Sequence, residues 1–153
     1  MNKKFDWKSK NVLITGVHGF VASNLCKKLL KKGANVYGLH RNNQTKSLLN
    51  YENIIKFNSI NYNNLELNNI VDLIINKNID TCFHLAAKVE VKEAEILPYQ
   101  TFENNSTLTL KLLEAFRISK TLKSFIFTST DKVYGNIPKH KLPYKENYYT
   151  NAI

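Results

Sequence analysis

No part of this sequence approaches the roughly 18 consecutive apolar residues that a membrane-spanning helix needs. The basic N-terminal stretch, Met1 to Trp7, has no apolar run behind it before Asn11, so neither a signal peptide nor a membrane partner is expected. Cysteine is scarce: Cys26 and Cys82 each lie inside an apolar segment and read as reduced core residues, not as a disulfide framework. The 4 histidines and 2 cysteines show no ligand spacing, so no metal site is expected. These absences make the cytoplasm the expected compartment. Arginine is nearly missing as well. Of 22 basic residues only Arg41 and Arg117 are arginines, although the net charge is +10. Surfaces that fork phosphates or read bases favour arginine, whereas here lysines are scattered along the chain beside heavy asparagine use, so nucleic acid is not an expected partner.

What is present is the composition of an ordinary globular chain, 43% hydrophobic and 22% charged over 153 residues, enough for one domain. Short apolar runs alternate with longer amphipathic ones, without repeats or low-complexity linkers. Val12-Leu13-Ile14, ending in Thr15-Gly16, predicts a buried strand. Gly19 to Lys32 predicts a helix: Val21, Leu25 and Leu29 recur every fourth residue, lysines crowd the last turn, and Gly33 stops it. Further strands are expected at Val36 to Leu39, Ile54 to Phe57, Thr81 to Leu85 and Ser124 to Thr128. Helices are expected over the stripe of Leu67, Ile70, Val71, Ile74 and Ile75, and from Asn105 to Ser119. Such alternation implies an α/β class, a doubly wound Rossmann-type parallel sheet of about five strands. Residues 1–10 form an N-terminal extension and 11–135 the dinucleotide-binding unit. Residues 136–153, with two of the three prolines and no periodicity, form an irregular tail.

Doubly wound sheets bind ligands beyond the carboxyl ends of their strands. Thr15-Gly16-Val17-His18-Gly19-Phe20-Val21-Ala22 joins the first strand to the first helix. Gly16 suits the tight turn and Gly19 lets backbone approach a pyrophosphate at the helix N-terminus, while Ala22 replaces a third glycine with the smallest side chain. After the second strand comes Leu39-His40-Arg41-Asn42-Asn43, which lacks the carboxylate that binds a ribose 2′-hydroxyl. Arg41 there, with Asn42, leans the expectation from NAD toward NADP. His18 reads as a turn residue near the phosphates, and His84 as a hydrogen-bonded core residue.

The glycine turn, then His84-Leu85-Ala86-Ala87, Asn105 with Leu112-Leu113-Glu114-Ala115, and Phe125-Ile126-Phe127-Thr128-Ser129-Thr130 before Val133-Tyr134-Gly135 carry a family resemblance. Together they resemble the extended short-chain dehydrogenase/reductases, the NAD(P)-dependent nucleotide-sugar epimerases and dehydratases. The resemblance implies that Phe20 and Val21 lie along the pyrophosphate, with Leu85, Ala86 and Ala87 beside the adenosine and ribose. Asn105 would steady the fourth strand against its helix, and Thr128 and Ser129 would line the cofactor side. Where relatives often place an adenine-contacting Asp at the end of the third strand this chain has Ser59, followed by Ile60. It has Leu108 where a glycine precedes the helical Thr109.

By the same resemblance Thr130 hydrogen-bonds the sugar hydroxyl to be oxidised. Epimerases usually carry a small neutral residue next, whereas Thr130-Asp131-Lys132 is similar to the CDP-glucose type of 4,6-dehydratase. Oxidation at C4 acidifies the C5 proton, and water then leaves across C5 and C6 before hydride returns. An acid and an amine on adjacent residues suit that elimination if their pKa values are tuned apart, with Asp131 as the acid and Lys132 in the site. The family's Tyr-x-x-x-Lys pair is lacking: no tyrosine of this chain has lysine four residues on. The last strands and the substrate domain of such enzymes have no counterpart either. The resemblance therefore implies a fragment, inactive alone, whose complete relative would act on a nucleotide sugar. A homodimer is among the assemblies it allows. A 4-epimerase fragment, a non-catalytic NAD(P)-binding module and a remnant without function are the competing readings.

Overall fold

A computed structural model describes residues 6–40, 49, 57–61 and 66–148. Its five strands are β1 (Asn11–Thr15), β2 (Asn35–His40), β3 (Phe57–Asn61), β4 (Thr81–His84) and β5 (Ser124–Phe127). They form one parallel sheet in the order β3-β2-β1-β4-β5. The chain winds outward from β1 in one direction through β3 and then returns to start β4 on the other side. The gap between β1 and β4 is therefore the topological switch point.

The apolar run Val12-Leu13-Ile14 is continuous because β1 is covered on both faces. Val12 and Ile14 pack with Val17, Ala22, Cys26, Leu29 and Val36, against α1 (Phe20–Lys31). Leu13 points the other way and joins Ile70, Ile74, Cys82, Leu112 and Phe116, where α2 (Leu67–Asn76) and a later helix lie. Both cysteines are buried and free, and burial pushes their thiols up, Cys26 to about 11 and Cys82 further. That suits inert core residues. Helix α1 ends as expected at Gly33, whose φ of +79° supports the paired bonds from Gly33 N–H to Leu30 and from Ala34 N–H to Leu29. Lys28 and Lys31 stand in its last turn, where cations complement the helix dipole.

Several boundaries differ from the sequence expectation; β5, for one, ends at Phe127 where Thr128 was expected. The third strand was expected at 54–57. Its pairing with β2 runs from Val36↔Phe57 to His40↔Asn61, which places Ser59 opposite Gly38 inside the strand, with Ile60 after it and Asn61 at its end. Residues 54–56 lie outside the described residues. β4 stops at His84, one residue early, because the Leu85 amide turns to the Thr15 hydroxyl oxygen. The helix expected from Asn105 is part of a longer helical stretch: α3 (Val91–Ile96), α4 (Pro98–Phe102), a π-helical segment Glu103–Thr107, then α5 (Leu108–Ser119). Beyond β5 a 3-10 turn spans Asp131–Tyr134, and a second, at Lys139–Lys141, lies within the otherwise irregular stretch over 136–148. Tyr144 ties that region back, stacking on Tyr134 at 5.3 Å and donating its hydroxyl to the Gly135 carbonyl.

Candidate functional site

Parallel pairing aligns Leu39, Thr15, His84 and Phe127 across four neighbouring strands. The segments that follow them, at Gly16, Leu85 and Thr128, therefore leave the sheet along the same edge. Arg41 and Asn42, which follow β2, lie outside the described residues.

The turn after β1 is built by its glycines. Gly16 has a φ of +66°, and a Cβ there would come within 2.9 Å of the Ala86 Cα, so any side chain would be strained twice over. Its amide donates to the Leu39 carbonyl at 2.9 Å, and the Gly19 amide donates back to Gly16 at 2.8 Å, closing the turn. Gly19 has an ordinary extended backbone at the N-cap of α1. A Cβ on it would touch the Gly16 carbonyl oxygen at 3.1 Å and otherwise face open space. With glycine at the cap, no side chain satisfies the first amides of α1, and no carboxylate sits in its first turn. Such an end attracts an anion through free N–H groups and the helix dipole. Phe20 and Val21 are 78% and 63% exposed there, beside an otherwise well-buried helix face. A dinucleotide's pyrophosphate fits this cradle, since a side chain would fill the space Gly19 leaves open.

His18 lies within the turn and meets the His40 ring edge-on, centroids 4.9 Å apart. Burial, then the neighbouring His40, pushes its pKa down, which keeps it neutral near pH 7. On the β4 side, Ala87 is exposed and Leu85 and Ala86 are half-buried. Asn105 sits in the π-helical segment, and its side chain bonds both backbone groups of Lys88: Oδ1 accepts the amide at 2.7 Å and Nδ2 donates to the carbonyl at 2.9 Å. Asn105 thus acts like one rung of a sheet, pinning the loop after β4 to the helical layer. Lys88 also pairs with Glu93 of α3, a contact that nothing in the motif reading anticipated.

At the end of β5, Thr128 bonds His84: amide and hydroxyl both donate to the His84 carbonyl, each at 3.3 Å. Thr130 caps the following 3-10 turn, its Oγ1 accepting the Lys132 amide at 3.3 Å and donating to Asp131 Oδ1 at 3.2 Å. Asp131 and Lys132 approach each other at 4.0 Å with side chains 58% and 83% exposed. Thr130, Asp131 and Lys132 are thus held together locally, with Ser129 exposed before them. Sequence reasoning missed Thr15, Thr109 and Lys88 as organising residues. Their signal was available only in their adjacency to the glycine turn, to Ala87 and to the helix carrying Asn105. Among the described residues no group of three His, Cys, Asp or Glu side chains could hold a metal ion, and no helix is long and apolar enough to cross a membrane.

Residues 13–152 match the family model described as GDP-mannose 4,6 dehydratase. The chain is 34% identical over 142 residues to CDP-paratose 2-epimerase of Salmonella typhi, covering 91% of this chain and 42% of that protein. It is 33% identical over 141 residues to dTDP-D-glucose 4,6-dehydratase of Dictyostelium discoideum, covering 89% of this chain and 32% of that one. Among solved structures, UDP-glucose-4-epimerase from Stenotrophomonas maltophila, with bound NAD and formylated UDP-arabinopyranose, superposes with a TM-score of 0.76 at 25% identity. That match covers 94% of this chain and 43% of the other. The chain therefore spans less than half the length of each of these three.

Proposed function

The chain belongs to the extended short-chain dehydrogenase/reductase family of nucleotide-sugar epimerases and dehydratases, and from that premise we propose that it is the dinucleotide-binding part of a nucleotide-sugar 4,6-dehydratase. The observation that carries the reading is the glycine turn at the sheet's carboxyl edge, opening onto a helix end with no side-chain cap and no carboxylate. The first-turn amides of α1 would hold the pyrophosphate, with Phe20 and Val21 along it and Leu85, Ala86 and Ala87 beside the nucleoside. The solved neighbours named with NAD favour NAD over the NADP that Arg41 suggested. The compartment expected is the cytoplasm.

Bound there, the nicotinamide supplies hydride acceptance at sugar C4 and its return at C6. The chain's own residues would orient the sugar and move protons. The Thr130 hydroxyl would hydrogen-bond the C4 oxygen and the Asp131 carboxyl would donate the proton that leaves with the C6 hydroxyl as water, with Lys132 beside them. The C5 proton released as the C5–C6 double bond forms goes to a base outside this turn. No Tyr-x-x-x-Lys occurs in the 153 residues, so the group that accepts the C4 hydroxyl proton is not supplied here. A threonine hydroxyl cannot take its place near neutral pH without its own activating base. The 153-residue chain is therefore expected to bind dinucleotide without turning over a nucleotide sugar. The second reading, a 4-epimerase part, is favoured by the structural neighbours named UDP-glucose 4-epimerase.

Calorimetric titration with NAD and NADP tests the first step. Binding by the wild type and its loss in Gly19→Val, with far-UV dichroism unchanged, is the expected result. Equal binding by the variant defeats the reading. Mass spectrometry of nucleotide hexoses incubated with the chain is expected to show no product. In an enzyme completed with a relative's remaining segment, loss of water identifies the dehydratase and C4 inversion alone the epimerase.

A further inference from the structure

Beneath the cofactor edge runs a hydrogen-bonded chain, buried at Thr15 and His84 and half-buried at Thr109, that the binding residues do not use. Thr15 and His84 are register partners in β1 and β4, 0% and 1% exposed. Thr15 Oγ1 lies 2.7 Å from His84 Nδ1. The same oxygen accepts the amides of Leu85 at 3.1 Å and Ala86 at 3.0 Å. A hydroxyl has one proton and two lone pairs. With both lone pairs taken by amides, its proton must go to Nδ1. His84 therefore accepts at Nδ1 and carries its own proton on Nε2, which donates to Thr109 Oγ1 at 2.8 Å. Thr109 in turn donates to the Asn105 carbonyl at 2.6 Å. One tautomer of one ring satisfies every contact, whereas the imidazolium would set two protons against each other at Thr15.

This chain meets the site at Ala86. Ala86 is the residue against which the Gly16 turn closes, near enough that a Cβ on Gly16 would collide with it. The Thr15 hydroxyl thus fixes the two amides that set the loop after β4 against the glycine turn. The ring is faced by Thr15 from β1, Thr109 from α5, and Phe125 and Phe127 from β5, at 6.2 and 5.4 Å between centroids. None of these carries a charge. Burial accordingly pushes the imidazole pKa down to about 4.

We propose that His84, held as its neutral Nε2–H tautomer, is the positioning residue of the dinucleotide site, acting through Thr15 to fix Leu85 and Ala86 against the Gly16 turn. The proposal rests on the cofactor reading above. Nitrogen-15 NMR of the 153-residue chain at neutral pH reports the tautomer, and calorimetry with NAD reports the site. The spectrum is expected to show an unprotonated Nδ1 and a protonated Nε2. Thr15→Val, which keeps the shape and removes the hydroxyl, is expected to weaken NAD at least tenfold under conditions where dichroism shows it folded. Thr15→Ser is expected to restore most of the affinity, which a loss of packing alone would not predict. A protonated Nδ1 overturns the proposal, whatever the variants do. So does a folded Thr15→Val that binds as the wild type does, or a Thr15→Ser as weak as Thr15→Val. A wild type that binds neither dinucleotide overturns the cofactor reading and this proposal with it, whereas wild-type binding beside an unaffected Thr15→Val overturns the proposal alone.

Discussion

β1 and β5 belong to the same parallel sheet, both carry apolar runs, and they differ in almost everything that follows from position. Val12, Leu13, Ile14 and Thr15 of β1 are wholly buried, with α1 on one face and α2 and α5 on the other. Of the four β5 residues none is buried, and Ile126 and Phe127 remain 39% and 53% exposed. β1 has a hydrogen-bonded neighbour on each side, whereas among the described residues β5 pairs with β4 alone. The same contrast runs through the polar groups. Thr15, at the end of β1, has its hydroxyl fully engaged in a buried network, while Thr130 to Lys132, beyond β5, make short-range contacts in solvent. An apolar strand is thus a statement of what a sheet can cover, and location in the strand order decides whether it is covered.

The sharpest way to break this comparison is to cut equal side chains from the two strands. Leu13→Ala is expected to cost about 2–5 kcal/mol, as large-to-small changes in packed cores do. Ile126→Ala, already partly solvated, is expected to cost about 1 kcal/mol or less, since little further apolar area leaves the interior. Urea unfolding of the two variants gives both numbers, and similar losses would show that β5 is as well covered as β1.

A somewhat smaller effect concerns protons. Burial lowers the folded His84 pKa from 6.5 to about 4, so between those values the unfolded chain binds the extra proton and the folded chain does not. Stability from this residue is therefore complete above about pH 6.5, falls as the pH is lowered, and levels off below about 4. Its ceiling is about 3 kcal/mol. His18, lowered by burial and by His40, acts in the same direction. Denaturant melts from pH 7 to 4.5 should show the decline, reduced in slope in His84→Gln. The exposed flank should contribute the least: Lys132→Ala is expected to shift stability by less than about 0.5 kcal/mol, because its partner Asp131 is solvated as well. A larger change would mean that the Thr130 turn is part of the core.

Much of this molecule was legible before any tertiary contact was known. Val12-Leu13-Ile14 declared a strand buried on both faces. The spacing from Val21 to Leu29 with Gly33 declared α1 and its end, and alternation along the chain declared the parallel sheet. Gly16 was legible as a turn residue, although its neighbour Ala86 was not. The helical stretch from Val91 to Phe102 escaped notice because its apolar residues are exposed, Ile96 at 76% and Phe102 at 68%, so no buried stripe marks it. The end of β3 escaped because pairing with β2, not local pattern, carries the strand to Asn61.

The sequence by itself determined the class of fold, the glycine turn and the order of the motifs, since each depends on residues within a few positions of one another. Tertiary structure decided the rest. Thr15 and His84 are 69 residues apart, and Lys88 and Asn105 are 17 apart. The proton on His84 is placed by a count of lone pairs that exists only once β1, β4 and α5 have met. Local pattern fixes what each segment can form, and hydrogen bonds between distant segments fix where its polar atoms point.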